Sequence, residues 1–62
     1  MWHFIISTSQ VPDDRRLSLA VIDAEGLHAL DFPCYRVEDY WIHAETKLKI
    51  DVRPTHWREW LE

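Results

Sequence analysis

Apolar and polar side chains alternate strictly along residues 48–53, where Leu48, Ile50 and Val52 are separated by charged residues. A period of two places the apolar side chains on one face of a β-strand and does not fit a helix. A second alternating segment, residues 17–22, is apolar enough to be buried on one face and partly on the other. These two segments favour a chain built mainly from antiparallel strands.

The positions of glycine and proline in the first half of the chain support this interpretation. Gly26 is the only glycine, and it follows residues 17–22 at the place where a hairpin loop needs a residue with positive φ. We therefore expect residues 17–22 and 27–32 to form a hairpin, with an irregularity at Pro33, because proline cannot donate to a ladder. Residues 2–9 are rich in β-branched and aromatic side chains and predict a first strand.

Residues 35–52 fit two patterns. As a helix over residues 35–47, apolar side chains recur at spacings of three and four, with acidic residues early and lysines late. As a hairpin, residues 40–43 form a strand and residues 44–47 form the loop before the alternating segment. The hairpin is favoured, because no Gly or Asn lies near Lys47 to end a helix.

Residues 54–61 hold two of the four tryptophans in a short span. Thr55 is a suitable N-cap for a helix. Trp57, Trp60 and Leu61 follow at i, i+3 and i+4, which is the spacing of one helical face. The pattern predicts a helical turn that packs Trp57 and Leu61 onto the sheet.

Chain length sets the size of the predicted fold. A chain of 62 residues buries only about 60% of the surface that it exposes when unfolded, so we expect one small domain, residues 1–62. Its predicted fold is mainly β: a small five-strand antiparallel meander, or an SH3-like or OB-like partly open barrel, with a short C-terminal helical turn. The alternative is an α+β fold with the helix at residues 35–47.

Charge and cysteine content limit the functional classes. Seven basic and eleven acidic side chains give a net charge of −4, which disfavours binding to nucleic acid or to anionic lipid. A single cysteine, Cys34, cannot form an internal disulfide, and the N-terminal apolar run is too short for a signal peptide or a membrane span. These features predict a cytoplasmic protein that does not associate with a membrane.

The residue pattern indicates no catalytic residue, metal ligand or cofactor. The four histidines and Cys34 form no C-x-x-C or H-x-x-x-H pair. A core this small has little room to enclose a pocket of the roughly 300–1,000 Å³ that ligand sites occupy. An enzyme is therefore the least favoured class.

The aromatic and arginine content favours a binding module, because Tyr, Trp and Arg dominate protein interfaces. The predicted function is a small interaction or regulatory module that binds a protein partner or self-associates through exposed aromatic side chains. The alternative is a small β-barrel that binds nucleic acid, which requires Lys49, Arg53 and Arg58 on one face. The residues predicted to form the partner surface are Trp41, Trp60, Arg53, Arg58 and His56.

Overall fold

The computed structural model describes residues 1–61, which form one antiparallel sheet of seven short strands. In chain order the strands are β1 (His3–Phe4), β2 (Leu17–Asp23), β3 (Gly26–Ala29), β4 (Cys34–Val37), β5 (Tyr40–His43), β6 (Lys49–Ile50) and β7 (His56–Glu59). Their order across the sheet is β1-β7-β2-β4-β5-β6, and β3 pairs with the second half of β2. The mainly β class is confirmed, but with seven strands rather than five. Because β7 lies between β1 and β2, the chain is not a simple meander.

The hairpin predicted around Gly26 is confirmed. β2 and β3 pair from Ala20 opposite Ala29 to Asp23 opposite Gly26, and Gly26 has φ 119°. Glycine enters this region of φ without the steric cost that a Cβ brings. β3 ends at Ala29, and Pro33 separates it from β4, as expected for a residue that cannot donate to a ladder.

The ambiguous central segment forms strands, so the alternative helix at residues 35–47 is wrong. β4 pairs with β5, and β5 pairs with β6. The two connecting turns contain Glu38 at φ 54° and Lys47 at φ 65°. Glycine or asparagine usually occupies such positions, so the sequence carried little signal for the first of these turns, and β4 was missed.

Residues 54–61 do not form the predicted helical turn. They contain strand β7, which pairs with β1 on one edge and with β2 on the other. A single helical turn has little stability in water, whereas a strand at this place makes backbone hydrogen bonds along both edges. Thr55 does not cap a helix, because its hydroxyl accepts from the Ile22 amide at 2.9 Å. Leu61 is 80% exposed, so its predicted packing on the sheet is also wrong.

The core cluster lies mainly on one face of the sheet, although Ser18 and Ala20 on the other face of β2 are buried as well. Its buried side chains are Val11, Leu17, Leu19, Cys34 and Trp41. Trp57 packs against this cluster, as predicted, although from a strand. The first strand is shorter than residues 2–9, and Ile5 rather than its neighbours contacts the core. β1 and β6 are the two ends of the strand order, so the sheet is open.

Candidate interaction surface

Alternation along β7 separates its side chains into two sets. Trp57 packs against the core. His56 and Arg58 therefore lie on the opposite side of the sheet, because successive side chains of a strand point to opposite faces. Trp60 follows them, since its amide donates to the Arg16 carbonyl at 3.1 Å and so extends the strand pairing beyond β7. Three of the five residues predicted for the partner surface thus share one face.

β1 and the residue before it add two aromatic side chains to this face. Phe4 lies opposite His56, and the two ring centres are 5.4 Å apart in an edge arrangement. The guanidinium of Arg58 lies 4.4 Å from the centre of the Trp2 ring, within the range of a cation–π contact. We call the side of the sheet that carries Trp2, Phe4, His56, Arg58 and Trp60 the outer face.

The outer face combines exposed apolar area with an unneutralised positive charge. Phe4 is 63% exposed, and Trp60 is half-buried. Within residues 1–61, Arg58 has no carboxylate partner, whereas Arg15 pairs with Glu59 at 2.6 Å. The charge of Arg58 therefore stays available to a group outside the described part of the chain.

Trp41 does not lie on a partner surface. Its side chain is 5% exposed and belongs to the core cluster, so the predicted surface position is wrong. It lies opposite Arg36 on β4 and Ile50 on β6. Alternation alone shows that Trp41 and its neighbours point to opposite faces, but it does not show which face is buried.

A cleft of about 460 Å³ opens between the two ends of the sheet. Ile5 and Trp41 contribute to its apolar wall. Lys49 and Arg53 also line it, beside two aspartates, and they lie apart from Arg58. Arg58 does not line this cleft, so the three cations that the nucleic-acid alternative requires are not gathered there.

Residues 1–61 show neither a metal-binding group nor a membrane-spanning helix. No three His, Cys, Asp or Glu side chains in this part of the chain are grouped so that they could hold a metal ion. None of the described residues belongs to a helix long and apolar enough to cross a membrane.

Cys34 is a core residue. It is fully buried, and burial raises the pKa of its thiol to about 11. The thiolate, not the thiol, is the reactive form of cysteine. The folded protein therefore keeps Cys34 neutral and unreactive.

We expect the Cys34 thiol to resist a reagent such as DTNB at about pH 8 in the folded protein and to react promptly in urea. The unfolded thiol has a pKa near 9.0, and the folded thiol about 11. Unfolding then releases a proton from Cys34 between these values, so the contribution of Cys34 to stability is constant below about pH 9 and falls as the pH rises toward 11. Urea unfolding at several pH values measures this slope. Cys34→Ala is the control that lacks it, and fast labelling without urea would contradict the assignment.

Trp2 and Phe4 are members of the surface that the sequence pattern did not indicate. Their alternation with His3 is visible in the sequence. However, only the pairing of β1 with β7 brings them beside His56 and Arg58. Comparison of the chain with models of protein families, with curated proteins and with solved structures finds no match.

Proposed function

We propose that the protein is a small interaction module that binds a protein partner through its outer face. The observation that carries this proposal is the Arg58 guanidinium stacked on Trp2 beside the exposed Phe4, with no carboxylate partner among residues 1–61. Trp and Arg contribute most of the binding energy at protein interfaces. The free thiol of Cys34 is consistent with a reducing compartment, and we place the protein in the cytoplasm.

The chemistry of the partner follows from these groups. A carboxylate on the Arg58 guanidinium can accept two parallel hydrogen bonds, which are stronger than bonds between neutral groups. Apolar side chains next to that carboxylate would cover Phe4 and Trp60 and remove their surface from water. We therefore infer that the partner presents an Asp or Glu flanked by apolar residues.

A selection from random peptides tests this inference. A peptide library displayed on phage is selected on the immobilised protein, and the enriched peptides are synthesised and titrated by calorimetry. We expect an acidic residue beside apolar residues in these peptides. We also expect Arg58→Gln or Trp60→Ala to raise their Kd by about tenfold or more, as for interface hot spots.

Arg53→Gln is the matched control, because Arg53 lines the cleft and not the outer face. Its Kd should stay within about twofold of the wild-type value, since a charge outside the contact surface acts only through long-range electrostatics that salt screens. Failure to enrich any peptide, or equal affinity for wild type and Arg58→Gln, would overturn the proposal. Binding to an oligonucleotide that weakens steeply with salt would favour the nucleic-acid alternative instead.

A further inference from the structure

β3 is an edge strand with one unpaired side. It pairs with β2, and no strand within residues 1–61 pairs with its other edge. All four of its residues, Gly26–Ala29, are exposed. A row of unpaired amides and carbonyls is a template for another strand, so this edge can accept a partner without any rearrangement of the sheet.

The alternation of hydrogen bonds shows which groups are free. In an antiparallel pair, successive residues of a strand direct their amide and carbonyl to opposite sides. The Leu30 amide donates to the Leu19 carbonyl at 3.0 Å, which places His28, two residues earlier, on the side bonded to β2. The amides and carbonyls of Leu27 and Ala29 therefore point away from β2 and toward the open edge.

The open edge of β3 lacks the devices that usually prevent strand addition. Proteins protect edges with lysine, proline, bulges or very short strands. β1 and β6, at the two ends of the sheet, have only two residues each. β3 has four residues and contains no lysine and no proline. Among the described edges it is the one suited to pairing.

We propose that the protein self-associates by antiparallel pairing of β3 with β3 of a second copy, about a two-fold axis at His28. Leu27 and Ala29 are equally spaced on either side of His28. In this register Leu27 lies opposite Ala29 of the second copy, and Ala29 opposite its Leu27, which forms four backbone hydrogen bonds. A second copy is favoured because this register sets each exposed Leu27 opposite the small Ala29 of the other copy.

The side chains next to this edge support the same register. Leu27 is 51% exposed, and its cross-strand neighbour Ile22 is 37% exposed. The small side chain of Ala29 in the second copy leaves room for Leu27, so the contact removes apolar surface from water. A two-fold axis perpendicular to the sheet keeps the outer faces of both copies on the same side. The dimer proposal does not depend on the proposed function. If both hold, the dimer carries two outer faces on the same side.

The expected dimer is weak and sensitive to salt. Pairing of four residues per copy gives an interface below about 1,200 Å², which is the range of transient complexes. Each copy has a net charge of −4, and Glu25 would lie near Asp31 of the second copy. Salt screens this repulsion, so association should strengthen as the ionic strength rises.

Sedimentation equilibrium of the whole chain from about 10 µM to about 1 mM, a range that covers weak affinities, tests the proposal. We expect the average mass to rise with concentration from 7.5 kDa toward twice that value. At a given concentration, the average mass should be closer to the dimer value at higher salt. Leu27→Lys should weaken association at least tenfold. Leu48→Lys is the matched control, because Leu48 is 69% exposed in the turn before β6, and it should associate like the wild type.

A second variant separates loss of pairing from loss of folding. Ala29→Pro removes an amide that points to the open edge and leaves the bonds to β2 in place, and its far-UV spectrum reports whether it folds. Folded, monomeric Ala29→Pro supports the proposal. A wild type that stays monomeric at the highest concentration overturns it, as does a dimer unaffected by both Leu27→Lys and Ala29→Pro. Trp60→Ala should weaken peptide binding and leave association unchanged. Failure of the proposed function can therefore be distinguished from failure of the dimer proposal.

Discussion

Trp41→Ala is expected to lower the free energy of unfolding by about 3–5 kcal/mol. The indole is 5% exposed and lies in the core cluster with Leu17, Leu19 and Cys34. Its removal exposes apolar surface and leaves a cavity that a small sheet can only partly close. Since domains of this size have stabilities near the low end of about 5–15 kcal/mol, we expect much of the variant to be unfolded at room temperature.

Urea unfolding followed by far-UV circular dichroism measures this effect without depending on the deleted fluorophore. Trp60→Ala is the matched control, because Trp60 is half-buried on the outer face and should cost clearly less. The two variants thus separate stability from binding: Trp41→Ala loses the fold, and Trp60→Ala loses peptide affinity. Equal stability losses in the two variants would contradict the placement of Trp41 in the core.

Leu19→Ala is expected to destabilise the protein by about 2–5 kcal/mol. Leu19 is fully buried on β2, directly opposite Trp57 of β7. Truncation therefore loosens the contact that holds the C-terminal strand against the core. Urea unfolding followed by far-UV circular dichroism measures the shift of the midpoint, because the fluorescence of the chain sums four tryptophans.

Leu48→Ala makes the same chemical change at an exposed position. Leu48 is 69% exposed, so its truncation should change stability by no more than about 0.5 kcal/mol. A comparable loss in both leucine variants would mean that residues 17–20 do not form the centre of the core. A loss confined to Leu19→Ala supports the packing described for β2 and β7.

The hairpins illustrate which parts of the fold local sequence can specify. Gly26 marks the β2–β3 turn because few residues other than glycine adopt its φ of 119°. Glu38 fills a positive-φ position without the usual residue type, and the preceding strand, β4, was correspondingly missed. A turn can be predicted from sequence when its backbone conformation excludes most residue types. It cannot be predicted when the pairing of the flanking strands imposes a positive φ on an ordinary residue.

The tryptophan-rich tail shows the limit of periodicity. In residues 54–61, Trp57, Trp60 and Leu61 fit one face of a helix, while His56, Arg58 and Trp60 equally fit one face of a strand. The strand forms because β1 and β2 both offer it a hydrogen-bonding edge. β1 and β2 are distant from residues 54–61 in sequence, so no local pattern predicts their edges.

By itself, the sequence determined that this chain is mainly β, that it reverses at Gly26 and that residues 48–53 do not belong to a helix, because these features depend on local backbone preference and alternation. Only the tertiary structure decided that Trp41 is buried and that His56, Arg58 and Trp60 share a face with Trp2 and Phe4. The physical reason is that burial and strand pairing are relations between distant segments. Alternation defines two faces of a strand, and only its neighbours decide which one meets water.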